Sequence, residues 1–158
     1  MRSLMIGLCM LVIGSACTTS EEPDLEKLSS NSDLEQYQKW QLVEMSGSLA
    51  NVPPSTGSDM SWQEHYLLYP DSTFVKSRTQ EGTVTEESGT YTFVTLDDGE
   101  YLELTYPSEN ELIGNCTGES KELLFFKSEN KLTGTWQACD GPGLVYEKVA
   151  GGSSDEKL

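Results

Sequence analysis

The 158-residue chain is short of most residues that carry chemistry. Its single histidine, His65, stands between Glu64 and Tyr66 inside a strand-like run, and reads as a surface or rim residue rather than a general base. No G-x-S-x-G, H-E-x-x-H or glycine-rich phosphate loop is present. Basic residues are few: 10 Lys and Arg against 26 Asp and Glu leave a formal charge of -16. Nucleic-acid affinity comes mainly from neutralising phosphates with cations, so no nucleic-acid partner is expected. Long apolar runs are missing too. The longest, LMIGLCMLVI (Leu4 to Ile13), is half of the roughly 20 residues a bilayer-spanning helix needs.

What stands at the amino terminus is the pattern of an export signal: Arg2, then that short apolar run, then Gly14-Ser15-Ala16-Cys17. Small residues before a cysteine allow a signal peptidase to close over the cleavage site. The stretch resembles the lipobox of bacterial lipoproteins, with Gly14 where leucine is commonest. The resemblance implies a signal peptide over residues 1-16, cleavage before Cys17, and acylation of that cysteine. Two or more acyl chains anchor a protein stably where one is marginal. The implied location is the bacterial cell envelope, lipid-anchored and most simply at the outer membrane, facing the periplasm or the surface. The membrane is then a partner through the acyl chains on Cys17.

Residues 17-36 (from CTTSEEPDLEKLSS onward) are rich in Ser and Glu and poor in aromatics, which cannot bury enough surface to fold alone. They read as an acidic tether, with Leu25, Leu28 and Leu34 leaving room for a short amphipathic helix. The tail AGGSSDEKL, residues 150-158, reads as a flexible acidic end. Of four cysteines, Cys9 leaves with the signal and Cys17 is the anchor, so Cys116 and Cys139 remain. In an oxidising compartment an isolated pair is most simply a disulfide. A two-cysteine metal or redox site would need His ligands or C-x-x-C spacing, and neither is present.

The body, residues 37-149, is punctuated like an all-β protein. Candidate strands are KWQLVEMSG, EHYLLY, TFVKSRTQ, EESGTYTFV, YLELTYP, ELIGNCTG, KELLFFK, KLTGTWQA and LVYEKV, separated by turn clusters such as PDS, LDDGE, PSEN, KSEN and CDGPG. Helical periodicity is absent from these runs, so antiparallel meander connections are expected, closing into a single up-and-down β-barrel in preference to an open sandwich. Alternation places Leu102, Leu104 and Tyr106 on one face, Tyr91 with Phe93, and Leu132 with Trp136, and these faces are expected to line the interior. ELLFFK is apolar on both faces, so its outer face needs a cover: the tether, a terminal segment or another protomer.

In order along the chain, Trp40 and Leu42, LLYPDSTF (Leu67 to Phe74), SGTYTF (Ser88 to Phe93), LTGTW (Leu132 to Trp136) and YEK (Tyr146 to Lys148) resemble the small lipocalin-like domains of bacterial envelope lipoproteins. True lipocalins have a glycine two places before the tryptophan, where this chain has Gln38, and an arginine that packs on it, for which only Lys148 is available here. The resemblance implies a barrel open at one end with an apolar interior able to hold one small molecule. It also implies that the first interstrand loop, SLANVPPSTGSDMSW (residues 48-62), folds over the mouth.

Carboxylates are plentiful, but LDDGE (Asp97, Asp98, Glu100) and CDGPG (Asp140) lack calcium-loop spacing and read as turns; no metal or cofactor is expected. Asp71-Ser72-Thr73 resembles an O-glycan acceptor and reads more simply as a turn. Catalysis is not expected. The favoured function is binding of a small apolar or amphipathic ligand by Trp40, Trp62, Tyr91, Phe93, Leu102, Leu104 and Trp136. The alternative is a filled core and an envelope interaction or structural protein that meets a protein partner through its outer surface.

Overall fold

The computed structural model describes residues 37-47 and 52-150; the expected signal peptide (1-16), Cys17 and the expected tether (17-36), residues 48-51 and residues 151-158 of the expected tail lie outside them. Nine strands follow in chain order: β1 (Gln38–Ser46), β2 (Ser55–Thr56), β3 (Gln63–Leu68), β4 (Thr73–Gln80), β5 (Thr83–Leu96), β6 (Gly99–Thr105), β7 (Lys121–Ser128), β8 (Lys131–Gly134) and β9 (Gly143–Val149). Each strand from β3 onward pairs antiparallel with the next, β1 pairs with β3, and β1 also pairs with β9. The sheet therefore closes into an eight-stranded up-and-down barrel, with the short β2 added beside the end of β1.

The local reasons are legible. β3 alternates strictly, with Glu64, Tyr66 and Leu68 inward. The β4–β5 turn, Glu81-Gly82, has both residues at positive φ, the twist that a two-residue hairpin requires. In the β3–β4 turn, Asp71 Oδ1 accepts both the backbone N–H and the hydroxyl of Thr73, which holds its carboxyl below the usual range. A bulge between Leu42 and Glu44 in β1 lets the barrel bend where it closes on β9.

Two runs depart from the sequence reading. ELIGNCTG is not a strand: it lies in the loop between β6 and β7, where Asn110 and Asn115 side chains serve the backbone N–H groups of Leu112, Thr117 and Gly118. KLTGTWQA is a strand only as far as Gly134, and then turns into a 3-10 helix, Trp136–Cys139. Trp136 therefore leaves the face of Leu132. The outer face of β7 is partly covered by its own sheet: Phe125 packs on Tyr101 at 5.1 Å between centroids, with the Lys127 ammonium over its ring.

Candidate functional site

The barrel has two unlike ends. One, the clasped end, holds the loops β1–β3, β6–β7 and β8–β9; the other, the open end, holds the start of β1, the end of β9 and the turns β3–β4, β5–β6 and β7–β8.

The clasped end is packed with charge. Lys76 Nζ lies 3.1 Å from both Glu122 oxygens and 3.4 Å from Glu64 Oε1, with none of its side chain exposed. Arg78 Nε reaches Glu64 Oε2 at 2.6 Å, so two acids meet two bases inside the wall. The remaining valences are met by Tyr106 and Tyr146 hydroxyls donating to Glu122 and Glu64, by Gly114 N–H donating to Glu122, and by Lys76 donating to the Leu112 carbonyl. A buried charge without such partners would be very costly. Burial, reinforced by these carboxylates, pushes the Tyr66, Tyr106 and Tyr146 phenols far above their ordinary range.

The loops finish this end. Cys116 and Cys139 form a disulfide, Cα to Cα 5.6 Å, that ties the β6–β7 loop to the 3-10 turn before β9. The first interstrand loop, expected over a ligand mouth, closes the clasped end instead: Met60 is buried in the core and Trp62 lies under the Arg78 guanidinium at 4.6 Å. Its physical reason is that Arg78, fixed by Glu64, offers a cation to stack on.

The open end holds the cleft. It has a volume of about 530 Å³, and Trp40, Phe93, Phe125 and Phe126 supply its aromatic wall, with Gln38, Val94, Thr95, Gly99, Glu100, Ser128, Glu129 and Lys148 around it. Trp40 is 2% exposed and packs edge-on against Phe126, which in turn meets Phe93 at 6.0 Å. Phe93 is 62% exposed, an unusual position for a phenylalanine that points along the inward face of its strand. The Lys148 ammonium stands 5.8 Å from the Trp40 ring centroid, so a cation does cover that tryptophan. The Trp40 indole N–H has no hydrogen-bond partner among the described residues.

Of the seven residues read as ligand-lining, Trp40 and Phe93 are brought together in the cleft. Tyr91 packs on Phe93 and donates to the Tyr69 carbonyl just behind it. Leu102 and Leu104 are fully buried in the filled middle of the barrel, with Tyr66, Phe74, Leu124 and Tyr146. Trp62 and Trp136 stand at the clasped end. Phe126, which sequence reasoning left out of the site, was signalled by its parity with Leu124 on β7. His65 lies half-buried on the outer wall beside Gln41, and burial, with Lys39 nearby, lowers its pKa. Asp97-Asp98 forms the β5–β6 turn, where Asp98 accepts from the Tyr101 hydroxyl, and Asp140 ends the 3-10 turn at positive φ. No protein-family profile, curated protein or solved structure matches this chain.

Proposed function

We propose that this chain is a lipid-anchored protein of the bacterial envelope, of the lipocalin-like kind, whose barrel binds one small apolar or amphipathic molecule at its open end. The observation that carries the reading is the aromatic cleft of about 530 Å³, which falls within the roughly 300–1,000 Å³ typical of small-molecule sites. Its chemistry fits an amphiphile: aromatic rings offer an apolar wall, while Lys148, Glu100 and Glu129 stand where a polar group would emerge. The site is shallow, because Leu102, Leu104, Leu124 and Tyr146 fill the barrel beneath it. The Cys17 anchor rests on the signal-like sequence, and the strand that follows the tether, β1, begins at this same end.

The reading is tested by titrating the chain with the neutral fluorescent probe N-phenyl-1-naphthylamine. Saturable binding at one site, quenching of tryptophan fluorescence, and loss of binding in Phe93→Asp are expected; Phe93 is exposed, so its replacement spares the core. Absence of saturable binding would favour the other reading, action through the outer surface, which the filled barrel centre supports.

A further inference from the structure

Two acids line the open-end cleft, Glu100 near the start of β6 and Glu129 in the β7–β8 turn, and both are exposed. Elsewhere on the wall, Glu103 takes Lys121 at 2.8 Å and Glu147 takes Lys131 at 3.0 Å. Glu100 and Glu129 take no cation among the described residues. The cleft's own cation, Lys148, meets no carboxylate there and stands over the Trp40 ring instead. Two carboxylates against one ammonium leave the lining negative, in a chain of formal charge -16.

The rings point the same way. Aromatic faces attract cations through their quadrupole, and two rings of this cleft already hold one: Lys148 lies 5.8 Å from the Trp40 centroid and Lys127 5.5 Å from that of Phe125. Phe93, 62% exposed, has no cation over it among the described residues. The β5–β6 register sets Phe93 opposite Leu102 and Thr95 opposite Glu100. Phe93 and Glu100 therefore share the inward face as diagonal neighbours, which lie about 7–8 Å apart in an antiparallel pair.

We propose, resting on the open-end reading, that the molecule held in this cleft is a cationic amphiphile: an alkylammonium head group lies over Phe93 within reach of Glu100 and Glu129, and its apolar chain follows Phe126 and Trp40. Ring faces, unpaired carboxylates and the field of the whole chain all favour that sign of charge. An anionic head group would meet Lys148 alone, against both acids and that field.

The test displaces N-phenyl-1-naphthylamine from the chain with three amphiphiles of equal chain length, each below its micelle-forming concentration: dodecyltrimethylammonium, dodecyl maltoside and dodecyl sulfate. The cationic one is expected to displace the probe at a concentration about tenfold lower than either of the others. Glu100→Gln with Glu129→Gln should bring the cationic and neutral amphiphiles close to equality. Glu81→Gln with Glu111→Gln removes the same charge from exposed positions at the clasped end and should keep the preference. Lys148→Met, which removes the competing ammonium, should widen it. The proposal is overturned, with the open-end reading intact, if the probe binds saturably and the neutral or anionic amphiphile displaces it as well as the cationic one. It is equally overturned by a preference that survives Glu100→Gln with Glu129→Gln, that falls as far in the clasped-end pair, or that narrows in Lys148→Met. Absence of saturable probe binding removes the open-end reading and this proposal together.

Discussion

Lys76 is the residue on which the clasped end turns. Among the described residues it is the single cation within reach of both buried glutamates, and removing it leaves Glu122, 2% exposed, without its ion-pair partner. Lys76→Met should lower stability by about 3–5 kcal/mol, the cost typical of breaking a buried pair, read as a shift of the urea midpoint. The three buried phenols give a second prediction at this scale. Above pH 10 the unfolded chain releases their protons while the folded one retains them, so the unfolded state binds fewer protons and stability falls as pH rises. Absorbance titration should show Tyr66, Tyr106 and Tyr146, three of the seven tyrosines, ionising only together with loss of structure. Smooth titration of all seven in a protein that stays folded would contradict this. The inward aim of these charges is legible in the sequence. Glu64 falls in phase with Tyr66 and Leu68, Lys76 with Phe74, and Glu122 with Leu124, so strand parity alone aims all three inward. Strand parity could not say that they would meet, because that depends on how three separate strands stack around the barrel.

Among the elements, β5 shows how much a meander owes to one glycine. Gly89 sits where the strand passes from β4 to β6, and a Cβ there would overlap the Thr105 carbonyl oxygen and press on the Phe74 ring. Gly89→Ala should therefore destabilise by about 1–3 kcal/mol or more through overpacking, measured by thermal or urea unfolding. An unchanged midpoint would mean that the strand can relax at its crossing point. The β6–β7 loop is the other telling element. ELIGNCTG has the composition of a strand, yet Asn110 and Asn115 divert its backbone into turns, and Lys76 takes the Leu112 carbonyl that a ladder would have used. Such competition between side chain and ladder is invisible to alternation, which explains why this run misled while TFVKSRTQ matched β4 residue for residue. Reducing the Cys116–Cys139 bond frees this loop from the 3-10 turn. The chain-entropy account gives a loss of about 3 kcal/mol, to be read as a lower urea midpoint under reductant.

At the scale of the molecule, the barrel is a filled cylinder with its charges sealed at one end and its aromatics opened at the other. Fold class, closure and the cysteine pair followed from turn spacing, alternation and cysteine count. The location of the cleft did not, because inward parity describes Leu102 and Phe93 alike, and only the ends of the strands decide which is covered and which is open. The placement of the first loop was equally hidden, since it depends on Arg78 being held by Glu64. Whether the open-end cleft holds a small molecule is read by native mass spectrometry of the chain, purified without added amphiphile from an envelope-bearing host. A bound species of small-molecule mass, released on unfolding and lost in Phe93→Asp, is expected. An apo mass throughout, even after incubation with envelope lipid extract, would mean that the cleft binds no such molecule.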